Sequence, residues 1–479
     1  MLERLRWTAG GVLVAAFVVA GCDRPAATEA ARVENPSPAP SPSPSPDRSA
    51  FVAAVDAVAA EALQRGPIAG LSIAVFEHGR PVLAKGYGFA DIEEQVTATA
   101  ETSYPIASVS KHFTAAAILR LADQGRLGLD DPLSRFFPAA RPRIGVLTLR
   151  HLLDHTSGLT RPGPAPRAAA VSVLARGGTA LGQGLDWDYS NYNYSLLGLV
   201  IEQASGRDYG QYVHDEIAAP LGLTGTGYCE EGQDIPGRGR DYLSGRKSLA
   251  LTPYWSEPRF FAAGALCSTV VDLVRMEAAL EAGRVVSAPM LAAMRTPARL
   301  ASGLEADYGF GTRLGFTAGR RKLGHTGAGQ SNKAVLARYP DQDVTVAVLL
   351  NTERAGASVT ATDIEERVEQ LFFDLPGATP PPAPASSAPL QRYIGQYRDN
   401  AGLVRLSTDG KTLTAKPGVR HHIQSRLVPE GGGLFFAEDE PSYALRFQTD
   451  GDRTRGYGRY HNGWFVGLAA RSSGSSSVP

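Results

Sequence analysis

The stretch "SYPIASVSKHFTAAAILRLADQG", Ser103 to Gly125, places Ser108 and Lys111 three apart at the head of a long apolar-faced run. The spacing alone carries no chemistry. Ser244 and Lys247 reproduce it, and ordinary residue usage puts about one or two such pairs in a chain of this length. Surroundings separate the two pairs. His112 to Asp123 follows a helical pattern closed by Gly125. One helical turn brings residues i and i+3 to the same face, so the Lys111 amine reaches the Ser108 hydroxyl. The positive end of the helix dipole disfavours a protonated amine there and favours a developing oxyanion. A lysine of lowered pKa shares or removes the serine proton. Ser244, within "GRDYLSGRKSLALTP", has no helix to fix its geometry.

Two further segments supply partners. In "WDYSNYNYSLLGLVIEQASG", Tyr189 and Asn191 bracket Ser190 in a loop ahead of a helix. A tyrosine close to a lysine relays protons, and an asparagine amide orients both the lysine and a substrate carbonyl. Tyr460-His461-Asn462 has the same spacing, but it falls in a β-rich C-terminal region with no nucleophile nearby in sequence. In "KLGHTGAGQS", His325-Thr326-Gly327 heads the closing strands. Glycine there permits close backbone approach, and a following N–H completes an oxyanion hole.

Met in this order, Ser-x-x-Lys, Tyr-x-Asn and His-x-Gly resemble the signatures of the serine β-lactamase and penicillin-binding protein superfamily. The likeness is greatest to its class C and low-molecular-weight esterase/D-peptidase branch. "GRLGLDDPLSRFFP", "LTLRHLLDHTSGL" and "AAGALCSTVVDLVRM" look like that branch's intervening segments, and the match runs from Ala50 to Phe373. The resemblance implies Ser108 as acylated nucleophile, Lys111 as its proton acceptor and Tyr189 as general base or relay, above all in deacylation. Asn191 would position substrate. His325 would open the triplet with Thr326 and Gly327, and the N–H groups of Ser108 and Ala328 would form the oxyanion hole. His325 departs from the lysine usual in dedicated β-lactamases, and a neutral imidazole holds a substrate carboxylate less firmly than a permanent ammonium. That points away from efficient β-lactam hydrolysis and towards esterases and D-aminopeptidases.

The architecture around these motifs agrees. Phe51 to Gln64 has an alanine-rich helical pattern, and "LSIAVFEHGRPVLAKGYGFAD" reads as two strands around His78-Gly79-Arg80. "NKAVLARYP" and "VTVAVLLN" form another hairpin, and "SVTATDIEERVEQLFF" a closing helix. Terminal helices and strands around a helical middle indicate an α/β sandwich: an antiparallel sheet flanked by helices with a helical subdomain, in the β-lactamase/transpeptidase manner. After "LPGATPPPAPASSAP", short alternating segments with turns at Asp409-Gly410, Gly431-Gly432-Gly433 and Asp450-Gly451 predict an antiparallel β domain. It is a small barrel or curled sheet, loosely similar to lipocalin-like modules of this peptidase branch.

Arg4 and Arg6 precede an apolar run, Trp7 to Gly21, too short to span a bilayer comfortably. Val19-Ala20-Gly21-Cys22 resembles a bacterial lipobox, which implies acylation of Cys22, and Asp23 resembles an inner-membrane retention signal. "NPSPAPSPSPSPD" reads as a polyproline spacer of ~3.1 Å per residue. The expected plan is a signal peptide over 1–21, a tether over 22–49, a hydrolase domain over 50–373, a linker over 374–389, a β domain over 390–472 and a tail over 473–479. The expected location is the cell envelope, as a periplasmic lipoprotein. Cys229 and Cys267 remain, and an even remainder in an exported chain favours a disulfide over two buried thiols.

Lys+Arg 48 balances Asp+Glu 48 and no run of four or more basic residues occurs, so nothing points to an electrostatic footprint for nucleic acid. His151 and His155 have a spacing a metal could use, but Leu152 and Leu153 between them read as core, which favours helix-end hydrogen bonds. His421-His422 reads as a solvated pair. No metal or cofactor is implied. The expectation is an exported serine hydrolase acting through an acyl-enzyme on small esters, or on amides and peptides carrying D-amino acids. The alternatives are a β-lactamase or D-Ala-D-Ala carboxypeptidase, and, in another class, a wall- or partner-binding lipoprotein on a degenerate hydrolase fold.

Overall fold

Both residues of the turn His78-Gly79 have positive φ, 51° and 70°, the backbone that matches the twist of a tight hairpin. It joins β1 (Gly70–Glu77) to β2 (Arg80–Asp91). Ala318-Gly319 turns in the same way, at 44° and 75°, between β3 (Arg313–Thr317) and β4 (Arg320–Ala328). With β5 (Lys333–Tyr339) and β6 (Val344–Leu350) these form an antiparallel sheet in the order β2-β1-β6-β5-β4-β3. The computed structural model describes residues 48–159, 163–177, 182–229, 235–244, 249–252, 260–329, 331–354, 359–375, 389–399, 402–417 and 425–472. Cys22 with the signal and most of the tether, Lys247, His421-His422, most of the 374–389 linker and the 473–479 tail lie outside them.

The central strands are apolar throughout because both faces are covered. Leu71, Ile73, Val75, Val346 and Val348 pack against α1 (Ser49–Arg65) and α5 (Ala361–Phe372). On the other face Ala74, Ala347 and Leu349 join the helical layer, which contains α2 (Ser110–Asp123), α3 (Asn191–Ser205) and α4 (Val270–Glu281). The sandwich read from the terminal helices and strands is therefore the observed arrangement. Cys229 and Cys267 are disulfide-bonded, with Cα atoms 5.4 Å apart.

The C-terminal region is a closed antiparallel barrel. Its strands are β7 (Gly395–Asp399), β8 (Gly402–Thr408), β9 (Leu413–Pro417), β10 (Ser425–Gly431), β11 (Leu434–Ala437), β12 (Tyr443–Asp450), β13 (Arg453–His461) and β14 (Trp464–Arg471). Pairing of β7 with β14 closes it. Tyr397, Leu406, Leu413, Phe435, Phe447 and Tyr457 form its core. A second set, Leu434, Ala444, Tyr460, Phe465 and Leu468, packs outside that core against Trp187, Leu300, Leu304, Tyr308 and Phe316.

One backbone crossing ties barrel to sheet. Gly315 of β3 pairs with Trp464 of β14, and the Phe316 N–H donates to the Gly463 carbonyl at 3.0 Å. A Cβ on Gly315 would lie 2.2 Å from the Gly463 oxygen, and one on Gly463 2.1 Å from the Phe316 oxygen. Only glycines permit this approach. Beside the crossing is a buried ionic cluster. The Lys322 ammonium donates to Glu365 at 2.8 Å, to Glu369 at 3.1 Å and to the Asn462 carbonyl at 3.3 Å. The Trp464 ring lies 4.6 Å away.

Candidate active site

Ser108 lies in a short 3₁₀ turn, Ala107–Val109, and Lys111 in the first turn of α2. The i,i+3 relation survives the change of helix type, and Lys111 Nζ lies 3.0 Å from Ser108 Oγ. Two further contacts define the amine: Asn191 Oδ1 at 2.8 Å and the Ala263 carbonyl at 2.7 Å. The Ala263 carbonyl is held in place by α2 itself, since Thr114 Oγ1 donates to Ala262 O at 2.7 Å and the Leu266 N–H donates to Ser110 Oγ at 3.0 Å. Lys111 is fully buried. Burial drives its pKa well below the usual lysine range, and the Arg313 charge pushes the same way. A neutral amine has two hydrogens and one lone pair. Asn191 Oδ1 and the Ala263 carbonyl accept the hydrogens, which leaves the lone pair for the Ser108 hydroxyl.

The Tyr189 ring lies 4.9 Å from Lys111 Nζ and 5.2 Å from the Arg313 guanidinium carbon. Its hydroxyl is close to Ser108 and Arg313 without a fully formed hydrogen bond. Burial pushes this hydroxyl's pKa up, and Arg313 and Ser108 partly oppose the rise. His325 is fully buried. Its Nδ1 donates to the Thr326 carbonyl at 2.6 Å, so Nε2 accepts from the Tyr308 hydroxyl at 3.0 Å. Burial, then Arg313 and Lys111, push its pKa well down. It is a neutral imidazole with both nitrogens engaged inside the protein, behind the Tyr189 ring at 6.1 Å. Gly327 lets β4 pass directly against the turn before Ser108, since a Cβ there would lie 2.3 Å from the Ile106 oxygen. Ala328, the last residue of β4, is exposed.

Three non-glycine residues around this pocket have positive φ: Ala107 at 45°, His155 at 62° and Phe261 at 37°. Backbone held off its preferred wells concentrates at functional sites. Ala107 precedes Ser108, and Phe261 begins the turn that presents the Ala263 carbonyl. His155 accepts at Nδ1 from Asn193 Nδ2 at 3.0 Å, and its ring lies 4.5 Å from that of Tyr189. The loop reading of "HTSGL" is what these contacts form, and His151 pairs with Thr148 at the start of its helix.

Four of the expected residues, Ser108, Lys111, Tyr189 and Asn191, thus meet around one amine. Thr326, Gly327 and Ala328 line the strand beside them, and Tyr460-Asn462 belongs to the barrel. The sequence reading missed the Ala263 carbonyl, Tyr308 and Arg313. Arg313 had a signal: the hairpin about Ala318-Gly319 sets it opposite Gly324, beside His325.

A beta-lactamase family model matches residues 55–369. Protein flp of Staphylococcus aureus is 31% identical over 223 residues, 43% of this chain and 43% of that protein, so the match spans less than half of that relative. Among solved structures, the octameric penicillin-binding protein homologue from Pyrococcus abyssi aligns with a TM-score of 0.60 and 23% identity, over 87% of this chain and 99% of that one. The D-amino acid amidase from Ochrobactrum anthropi SV3 aligns with a TM-score of 0.59 and 23% identity, over 68% and 99%. At such identities these two likenesses concern the fold. The family match takes in the Ser108 turn, both partner motifs and most of the chain, and so the chain belongs to the beta-lactamase family, within the serine β-lactamase and penicillin-binding-protein-like superfamily.

Proposed function

We propose that this protein is a serine hydrolase that cleaves small esters or amides, including D-amino-acid amides and peptides, through an acyl-enzyme on Ser108. The observation that carries the reading is the Lys111 amine, whose two acceptor contacts at 2.8 and 2.7 Å leave its lone pair for the serine proton. Ser108 Oγ attacks the substrate carbonyl, and its proton passes to Lys111. The leaving group takes a proton relayed through Tyr189, and a water that loses its proton to the same relay cleaves the ester at Ser108. The likeness to structural relatives that include a D-amino acid amidase supports the amide side of the substrate range.

The family's alternative, a β-lactamase or D-Ala-D-Ala carboxypeptidase, draws support from one feature. Arg313 sets a permanent cation beside Tyr189, where a substrate carboxylate would find a partner that the doubly engaged His325 does not offer. Export and lipid anchoring through Cys22 belong to the same proposal and rest on the N-terminal pattern. Mass spectrometry after a fluorophosphonate probe tests the mechanism: one adduct on the wild type and none on Ser108→Ala is expected. An unlabelled wild type would favour the degenerate binding lipoprotein. Paired assays on p-nitrophenyl esters, D-amino-acid amides and a chromogenic cephalosporin then rank the substrates, and metabolic labelling with a palmitate analogue in wild type and Cys22→Ser tests the anchor.

A further inference from the structure

We propose that the C-terminal barrel is a working part of the pocket: Phe465 of β14 is a positioning residue that holds Arg313 and the Trp187–Tyr189 loop in place around Ser108. The inference rests on the reaction proposed above. It begins at the crossing of β14 over β3. The Gly315–Trp464 pair and the Phe316-to-Gly463 hydrogen bond lock the start of β14 in register with the strand that carries Arg313. The next residue, Phe465, grips the site twice. Its carbonyl accepts a hydrogen bond from Arg313 Nη1. Its ring meets Trp187 edge-on with centroids 4.9 Å apart, and Trp187 stands two residues before Tyr189.

An arginine side chain on a strand end sweeps a wide volume unless its planar fork is fixed. Here the fixing acceptor comes from the barrel, while the guanidinium itself lies 5.2 Å from the Tyr189 ring. Phe465 is fully buried, in a cluster that also holds Trp187 and Tyr308, with Tyr189 packed against it. Tyr308 in turn donates to His325. The barrel is thus continuous with the wall behind Tyr189 rather than hung beside it. The groups around the Tyr189 ring are Lys111 from α2, Tyr194 from α3, Arg313 from β3, His325 from β4, and His155, Trp187 and Tyr308 from loops. Of these, Arg313 is the permanent cation, and its charge opposes the effect of burial on the Tyr189 hydroxyl. Loosening Phe465 therefore changes how readily Tyr189 gives up its proton, as well as where it stands.

The test is a double-mutant cycle on the full chain, with Phe465→Ala and Arg313→Met, reading the kcat/KM pH profile on a p-nitrophenyl ester. Rates are expressed per site titrated by fluorophosphonate. Phe465→Ala is expected to lower kcat/KM about 10- to 100-fold, the usual cost of a small misplacement. It should move the Tyr189 limb in the same direction as Arg313→Met does, and the double variant should be little worse than Arg313→Met alone. Phe465→Ala keeps the backbone carbonyl and removes the ring that wedges it in place; Phe465→Leu, which restores apolar bulk there, should recover most of the rate. Leu468→Ala, in the same interface but away from Arg313, should keep the wild-type profile. A Phe465→Ala enzyme with a wild-type rate and profile per titrated site, or effects that simply add, would overturn the proposal. If Phe465→Ala does not fold, Phe465→Leu and Phe465→Met are read in the same cycle under the same criteria. Loss of labelling in the wild type would instead sink the Ser108 reaction, so the two failures are told apart.

Discussion

Lys111 and Lys322 are both fully buried, and they are held in opposite ways. Lys111 meets a hydroxyl, an amide and a carbonyl, all uncharged, and its pKa falls. Lys322 meets two carboxylates, and although burial alone would lower its pKa, Glu365 and Glu369 raise it. The first site favours a neutral amine and the second an ionic clamp. Removing a lysine from water thus decides little by itself; the charge of its partners decides the sign.

Breaking the first site should have the largest effect. Lys111→Met and Ser108→Ala are each expected to lower kcat/KM by about 10⁴-fold or more, with circular dichroism and melting showing a folded chain. A retained rate in Lys111→Met would assign the base elsewhere. Breaking the clamp should act on stability instead. Lys322→Met leaves the charge shared by Glu365 and Glu369 buried without its counter-charge, which costs about 3–5 kcal/mol. Urea unfolding should report that loss while the rate per titrated site stays near wild type. Tyr189→Phe removes only the relay, with a loss of about 10²–10³-fold in kcat and longer-lived acyl-enzyme by mass.

The comparison can also be sharpened by giving Lys111 what Lys322 has. Asn191→Asp places a carboxylate where an amide oxygen now lies 2.8 Å from the amine. Lys111 must be neutral to accept the proton, so activity rises with pH through its lowered pKa. The aspartate raises that pKa, and the rising limb of kcat/KM should move to higher pH; an unmoved limb would detach it from Lys111. The smallest effect belongs to Glu369. Burial pushes its pKa up from 4.5 to about 8, with Lys322 opposing and Glu365 assisting. The folded state then binds an extra proton between those values, so this group's contribution to stability falls as pH rises across that window. Glu369→Gln should flatten the decline in Tm from about pH 5 to 8, and an unchanged slope would exclude Glu369 as its source.

The pocket was legible in the sequence where its geometry is local. Ser108 and Lys111 share one helical turn, and Tyr189 and Asn191 share one loop-to-helix step. The hairpins were legible because period-two strands flank turn residues. Tertiary partners were not. The Ala263 carbonyl is a backbone atom 152 residues from Lys111, and no residue type advertises a carbonyl. Lys322 finds its carboxylates 43 and 47 residues away, in a helix whose sequence does not say which strand its acidic residues meet. Barrel and curled sheet were equally open from local alternation, because closure rests on the long-range pairing of β7 with β14.

The glycine crossing at Gly315 and Gly463 has one more consequence. β3 is the last strand of the catalytic sheet on its side, and a terminal strand offers unpaired backbone groups on which another chain can add a strand. β14 lies across part of that row, and the barrel, closed on itself, presents no such row in exchange. That edge of the sheet is therefore covered, at Gly315, by the same strand that reaches Arg313.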